Sequence, residues 1–204
     1  VLCISKLKKD GKHLYYLDEQ GTKIPVHKIY NRVIFDELSK RHDLKREFYF
    51  KDEVEVEWVG HPNWFFRISK YIMPILNGCR FVPNCFYLDQ LEEYPENLQD
   101  YVLKPLYSFA GSGVLLNITP ELLDSLEDKE NYILQQRVAY HPFPIAPNGG
   151  VKVEIRMLMI WEHGKPTARI VNNLVRLSKG AMIGVKYNKD MDWVGASVGY
   201  FEPS

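Results

Sequence analysis

The sequence predicts an α+β fold in which short antiparallel strands outnumber the helices. Two hairpin patterns predict the strands: one near the start of the chain, with a polar turn at 18–21, and a longer one over 152–177. Apolar residues at helical spacing over 64–75, and a capped segment over 119–126, predict helices between them. From the length we expect one compact unit with a small preceding lobe within these 204 residues.

The first 59 residues combine short apolar segments with polar turns. The charged stretch 40–57 leads into alternating apolar residues that suit an edge strand. The elements that we predict here are strands over 1–5, 13–17 and 23–29, a helix over 34–41 and an edge strand that includes Trp58. We place a boundary near Gly60.

The segment 64–75 has one polar helical face, and Lys70 lies on it. An ordinary solvated lysine and a phosphate ligand both suit that position. A strand interrupted by Pro83 follows, and later Thr119 and Pro120 have the residue types of an N-cap and a first helical position.

The segment 101–116, YVLKPLYSFAGSGVLL, carries the strongest functional signal in the chain. An apolar run contains Lys104 and is followed by small residues that include Gly111 and Gly113. A second apolar run comes after them. Glycine allows tight backbone bends, and successive N–H groups can bind an anion. The loop is neither a Walker A loop nor a G-x-G-x-x-G motif. A phosphate-binding loop and a plain hairpin turn both fit.

Two later strands add candidate binding residues. The segment 132–138, YILQQRV, can present backbone groups to an adenine edge while Val138 packs on its face, or it can be an ordinary edge strand. In the strand 152–161, Glu154 and Arg156 are two residues apart and share a face of the sheet. They can form a surface ion pair, or Arg156 can bind a phosphate or carboxylate.

Composition excludes several classes of protein. Basic and acidic residues number 26 each, so the chain lacks the positive charge that is typical of nucleic-acid-binding proteins. Its apolar runs are too short to span a membrane. No secretory signal is visible, but the first residue is Val1 rather than methionine, so a preceding targeting segment stays open. Three cysteines without metal-binding spacing suggest reduced, mostly buried thiols and a cytoplasmic protein. No histidine lies in a recognisable nucleophile or H-E-x-x-H motif.

From about residue 60 onward, the order of these motifs resembles the ATP-grasp superfamily. The corresponding segments are RISKYIMPIL, FVPNCFYL, VLKPLYSFAGSGV, ILQQRV and VEIRMLMI. The ending SKGAMIGVKYNKDMDWVGAS is similar to circularly permuted members, including those that resemble glutathionylspermidine synthase.

The resemblance implies an ATP-grasp fold in which two α+β subdomains sandwich a nucleotide. Residues 60–131 and 132–204 would form the first and second subdomains, and residues 1–59 a partial preceding lobe. In that lobe Arg32 lines the substrate side or is an ordinary surface arginine.

The resemblance also assigns roles to individual residues. Lys70 and Lys104 would contact the ATP phosphates. A flap would close over the phosphates, and the residues that contact adenine would come later in the chain. One acidic and one basic side chain would face the nucleotide and the acceptor substrate. The implied flap residues are Ser108, Ala110, Gly111, Ser112 and Gly113, the adenine residues are Gln135, Gln136 and Val138, and the others are Glu154 and Arg156. Arg176 would stabilise an acyl phosphate or belong to a solvated edge.

The expected cofactors are ATP and Mg²⁺, but the metal ligands are open. Most ATP-grasp enzymes hold the metal with a Glu-x-Asn triplet, and none occurs after residue 156 in this sequence. The pair Asn172 and Asn173, or the pair Asp190 and Asp192, can substitute, although both pairs also suit purely structural roles.

Three functions fit these observations. The first is an ATP-dependent carboxylate–amine or carboxylate–thiol ligase that forms an acyl phosphate, with small-molecule or peptide substrates. The second is an ATP-grasp-like module that binds nucleotide or a partner without turnover. The third is a structural α+β domain. The sequence decides neither the acceptor substrate nor the oligomeric state.

Overall fold

The structure is a computed structural model that describes residues 1–109, 111–184 and 187–200. Over these residues it contains thirteen strands in five small sheets and three short α-helices, together with several 3-10 turns. The predicted α+β class is therefore confirmed. No helix in this part of the chain has the length and apolar character needed to cross a membrane.

The amino-terminal unit contains two small sheets around its own core. Its elements are β1 (Lys8–Asp10), β2 (His13–Leu17), β3 (Lys23–Val26), β4 (Lys28–Tyr30), α1 (Phe35–Lys40) and β5 (Glu57–Val59). Strands β1, β2 and β3 form an antiparallel sheet in that order, and β4 pairs with β5 in parallel. Ile4, Leu14 and Phe48 are buried together at the centre of this unit.

The predicted hairpin turn at 18–21 is confirmed, because Asp18 Oδ1 accepts hydrogen bonds from the backbone N–H groups of Gln20 and Thr22 at 3.0 and 2.7 Å. The predicted strand over 1–5 is wrong. Residues Ile4–Lys6 form a 3-10 turn instead, which buries Ile4 against the core and leaves the first three residues exposed.

The predicted helix over 64–75 is broken into three pieces. Helix α2 spans Trp64–Arg67, and 3-10 turns follow at Lys70–Ile72 and Pro74–Leu76. Ser69 caps the second piece, since its Oγ accepts from Tyr71 N at 3.2 Å and donates to Phe66 O at 2.8 Å. Proline lacks an N–H, so Pro74 cannot donate a helical hydrogen bond and instead begins a new 3-10 turn.

The central sheet is antiparallel with the order β6, β8, β7. Its strands are β6 (Cys85–Tyr87), β7 (Tyr101–Pro105) and β8 (Tyr132–Gln136), and helix α3 (Pro120–Asp124) lies between the last two in sequence. Thr119 caps α3 as predicted, because its Oγ1 accepts from Leu122 N at 3.3 Å. The buried core of this region consists of Leu88, Leu98, Leu103, Ile118, Leu123 and Leu134.

A long hairpin dominates the carboxyl-terminal part. Two short strands, β9 (Ile145–Ala146) and β10 (Gly149–Gly150), precede the sheet formed by β11 (Lys152–Ile160), β12 (Arg169–Ser178) and β13 (Gly195–Ser197). The predicted hairpin over 152–177 is confirmed. Its half near the turn is exposed, whereas Val151, Val175 and Ser178 at the other end are buried.

The cysteines differ from expectation in one respect. Cys85 is buried, but Cys3 and Cys79 are exposed, so the prediction that most of them are buried is wrong. All three are free thiols, as predicted.

Candidate functional site

A cavity of about 410 Å³ lies between the central sheet and the start of the long hairpin. One wall comes from β7, β8 and the residues that follow them, and the other comes from β11 and the loop after β12. The lining residues are Val102, Lys104, Val114, Leu116, Gln135, Gln136, Arg137, Val138, Tyr140, Lys152, Glu154, Ala181, Met182 and Ile183. Its size is within the range of small-molecule sites.

Lys104 provides a positive charge in this cavity. It shares a face of β7 with Val102, since alternate strand residues point the same way. Its Nζ donates to Gln135 Oε1 at 2.8 Å, and burial lowers the pKa of Lys104. Among the described residues it forms no salt bridge, so its ammonium is balanced by an amide rather than by a carboxylate.

The end of β8 fixes the backbone beside Lys104. Gln136 N donates to Asn84 O at 2.8 Å, and Arg137 N donates to Asp100 O at 2.7 Å. The Arg137 guanidinium donates to the carbonyls of Tyr101 and Leu116, which ties the strand end to the chain that returns from the glycine loop. In the described part of the structure the next donor, the N–H of Val138, has no hydrogen-bond partner.

In the opposite wall, the carboxylate of Glu154 is contacted by two arginines that do not themselves line the cavity. Glu154 on β11 lies opposite Arg176 on β12, whose Nη1 donates to Glu154 Oε1 at 2.9 Å. Arg156 Nη2 lies 3.6 Å from the same oxygen. Arg176 also donates to the carbonyl of Ile183. Burial, with Glu154 nearby, raises the pKa of Tyr140, and Arg176 opposes this shift.

Asn188 folds the loop after β12, which contains Met182 and forms part of the second wall. Its Oδ1 accepts from Ser178 Oγ, Lys179 N and Gly180 N at 2.9, 2.9 and 2.8 Å. Its Nδ2 donates to the carbonyls of Met182 and Gly184 at 3.0 and 2.8 Å. One buried amide thus satisfies five polar groups.

The glycine loop follows β7 and is closed by reciprocal backbone hydrogen bonds of 3.0 Å between Leu103 and Leu115. The predicted strand, loop and return are therefore present, with the return reduced to a single bridge. Gly111 has a φ of 75°, and a Cβ there would lie 3.2 Å from Met182 Cε. The loop therefore approaches the Met182 side of the cavity closely.

Lys70 contacts the glycine loop rather than the cavity wall. Its Nζ donates to Ser108 O at 2.7 Å and to Ser108 Oγ at 3.0 Å. The two predicted phosphate lysines are thus linked through the loop that begins just after Lys104, but only Lys104 lines the cavity.

The structure brings together Lys104, Gln135, Gln136, Val138 and Glu154 around the cavity. Arg176 lies behind this wall and contacts Glu154. The predicted residues that do not line it are Lys70, Ser108, Gly111, Ser112, Gly113 and Arg156. Ala110, also predicted, lies outside the described residues.

Sequence reasoning missed Arg137, Tyr140, Lys152 and Asn188. Arg137 is inside the YILQQRV segment and gave a visible signal as a cation after two amides. Lys152 Nζ donates to Gly180 O at 2.9 Å, a contact between distant segments that no local pattern marks. Asn188 carried no signal, because an isolated asparagine is common in polar loops.

One of the suggested metal residues already has hydrogen-bond partners within the protein. Asn173 is used structurally: its Oδ1 accepts from Gly199 N and its Nδ2 donates to Gly199 O, both at 2.8 Å. Within the described ranges, no group of three or more His, Cys, Asp or Glu side chains is arranged to hold a metal ion.

Comparison of the chain with models of known protein families finds no match, and comparison with curated proteins finds no significant relative.

Proposed function

We propose that the cavity around Lys104 binds ATP and that the protein is a carboxylate–amine or carboxylate–thiol ligase of the ATP-grasp type. The observation that carries the proposal is the Lys104 ammonium, which has an amide but no carboxylate partner among the described residues. It lines the same cavity as a backbone donor, Val138 N–H, that has no partner among those residues. A polyphosphate supplies negative charge to the Lys104 ammonium, and an adenine ring nitrogen accepts a hydrogen bond from Val138 N–H.

The cavity residues fit a nucleotide in chemical terms. Lys104 and Lys152 offer cations for phosphate oxygens. The side chains of Val102, Val138 and Met182 offer apolar contact for the two faces of a purine. Such a combination of apolar lining and a few polar groups is common in cofactor sites. The proposed subdomain boundary at 131/132 places β6 and β7 in the first subdomain and β8, with the β11–β13 sheet, in the second, although β8 pairs with both β6 and β7.

In the proposed reaction, a substrate carboxylate oxygen bonds to the γ-phosphorus of ATP as the bond to the leaving ADP breaks. The amine or thiol then attacks the carbonyl carbon, and phosphate leaves. Arg176 and Arg156 offer guanidinium groups to the acyl phosphate, and Glu154 holds them in position through its 2.9 and 3.6 Å contacts. Charge neutralisation and positioning supply the acceleration. Mg²⁺ is expected to accompany ATP, and the proposal assigns it no ligands.

In the proposed mechanism, Lys70 controls the position of the glycine loop. Its ammonium holds Ser108 at the start of the glycine loop, so a phosphate that competes for Lys70 would release the loop and let it close over the nucleotide. A lysine on a flexible stem suits this exchange of partners.

The test is thermal and urea unfolding with and without Mg-ATP. A ligand that binds only the folded state at 100 times its Kd adds about 2.7 kcal/mol to the free energy of unfolding. We expect this gain in the parent protein and its loss in Lys104→Ala. Lys165→Ala is the matched control, because Lys165 is exposed in the β11–β12 turn and its backbone carbonyl keeps its bond to Trp161. Unchanged ATP affinity in Lys104→Ala contradicts the proposal.

A nucleotide-binding module without turnover is the second candidate, and the absence of a Glu-x-Asn triplet in this sequence after residue 156 favours it. Release of ADP and phosphate in the presence of a pool of carboxylic acids and amines separates the two. ATP binding without any acid-dependent ADP release assigns the silent module.

A further inference from the structure

A second cavity, of about 440 Å³, lies where the amino-terminal unit meets α2 and the glycine loop. Residues from 31–35 and 60–68 form most of its lining, and Phe109 of the glycine loop completes it. It shares no lining residue with the cavity around Lys104. Phe109 nevertheless follows Ser108, the residue that Lys70 holds.

Aromatic rings form one side of this second cavity. Phe65 stacks on Phe109 with ring centroids 5.1 Å apart and an interplanar angle of 26°, and it contacts Phe35 at 5.6 Å. Trp64 and Ile68 also line the cavity and remain 55% and 75% exposed. Large apolar side chains left exposed in a concave site indicate a ligand with an apolar body, and the stacked rings favour an aromatic one.

Two polar side chains of the cavity, Arg32 and His61, can donate hydrogen bonds to a ligand. Arg32 lines it and forms no salt bridge with any described residue. His61 Nδ1 accepts a hydrogen bond from Asn63 N at 3.2 Å, so in the neutral ring Nε2 carries the proton and is a donor. No carboxylate lies among the described lining residues. Among the described lining residues the charge is therefore positive and has no carboxylate to balance it.

We propose that this cavity binds a small carboxylic acid with an aromatic body, whose ring packs against Trp64 and Phe65 while its carboxylate pairs with Arg32. A guanidinium matches a carboxylate with two parallel hydrogen bonds, which a lysine cannot do. Identification of this acid as the substrate that the ligase activates rests on the proposed function. Because Phe109 lines the acid site and belongs to the glycine loop, binding of the acid then affects the position of the loop beside the nucleotide cavity.

The test uses 3-phenylpropionate as the probe, titrated calorimetrically into the whole chain without nucleotide. We expect saturable binding, with the uncharged 3-phenylpropan-1-ol and the ringless propionate each bound at least about tenfold more weakly. Arg32→Ala weakens 3-phenylpropionate at least about tenfold, and Arg32→Lys weakens it less. Arg67→Ala is the control, since Arg67 is exposed on α2 and does not line the cavity.

ATP is titrated separately into the same proteins without acid. Arg32-dependent binding of 3-phenylpropionate supports the acid site, and retained ATP affinity in Arg32→Ala shows that the variant is folded. Equal affinity for acid and alcohol, or no saturable acid binding in a protein that binds ATP, overturns the acid site and leaves the proposed function standing. Acid binding in a protein that never binds ATP overturns the proposed function and the substrate assignment, but not the site.

Discussion

Lys104 is the residue on which the functional proposal depends. Its position in the middle of β7 takes the ammonium away from water, and its partner Gln135 is itself buried and neutral. An amide oxygen compensates an ammonium less well than a carboxylate does, so burial lowers the pKa of Lys104. A buried cation without a counter-ion favours an anionic ligand.

This pKa shift predicts a pH dependence. Binding of ATP needs the protonated amine, and the folded-state pKa of Lys104 lies below its ordinary 10.5. ATP affinity should therefore fall as pH rises through the window beneath 10.5. Over the same window the ligand-free protein gains stability, because the cost of the buried charge disappears as the amine loses its proton.

The measurement is the Kd of ATP between about pH 7 and 10, where free lysine stays mostly charged and arginine fully so. Lys104→Arg should bind ATP more weakly at pH 7 because of its different shape, but with a flat pH profile. A profile that is identical in the parent and in Lys104→Arg would assign the titration to another group.

At the scale of elements, the loop after β12 is the part of the cavity that depends most on a single residue. Asn188 satisfies the backbone of Lys179, Gly180, Met182 and Gly184 and thereby holds Met182 beside the glycine loop. Gly180 allows the two sides of the loop to meet, because a Cβ there would lie 2.0 Å from Tyr187 O. Backbone on backbone contact of this kind cannot be relieved by a side-chain rotation.

Gly180→Ala should therefore lower the free energy of unfolding by about 2 kcal/mol or more and weaken ATP binding, since the loop must move. Gly164→Ala is the matched control. Gly164 has a φ of 76° but open space around its Cα, so only backbone strain of about 1–2 kcal/mol is expected there, with ATP affinity unchanged. Urea unfolding and ATP titration measure both. Equal effects of the two variants on ATP affinity would contradict this role for Gly180.

At the scale of the whole molecule, the long hairpin differs from the rest of the chain. The central sheet buries Leu103, Ile133 and Leu134 completely. Near the hairpin turn, by contrast, large apolar side chains on both faces of the sheet are exposed. These residues are Ile155, Met157, Leu158, Met159, Ile160, Trp161, Ile170 and Val171. Exposed apolar side chains in such number promote association.

Ile155→Thr combined with Met159→Thr should lower concentration-dependent light scattering while changing the free energy of unfolding by no more than about 0.5 kcal/mol per site. The two side chains are 60% and 56% exposed, so little burial is lost. Ile133→Thr is the control, because Ile133 is fully buried in β8 and a hydroxyl there costs about 1–3 kcal/mol. Unchanged scattering in the double variant would show that this surface does not drive association.

Local sequence signals predicted the elements that local interactions stabilise. The Asp18 turn, the Thr119 cap and the long hairpin are each formed by residues close together in the chain. The helix over 64–75 failed at Ser69 and Pro74, where the apolar spacing continued but the backbone hydrogen bonds did not. Hydrophobic spacing marked an apolar face here, but it indicated neither the breaks in the backbone hydrogen bonds nor the exposure of that face, on which Ile68 is 75% exposed.

The mixed α+β class could be predicted because turn chemistry, strand alternation and residue type are local properties. The candidates Lys104, Gln135, Gln136, Val138 and Glu154 followed from the order of motifs along the chain. The packing of the sheets was needed to show that these five line one cavity, that Lys70 binds Ser108 outside it, and that Asn188 and Lys152 help to form its far wall. The physical reason is that contacts between distant segments depend on how the sheets pack, and nothing within a single segment encodes that distance.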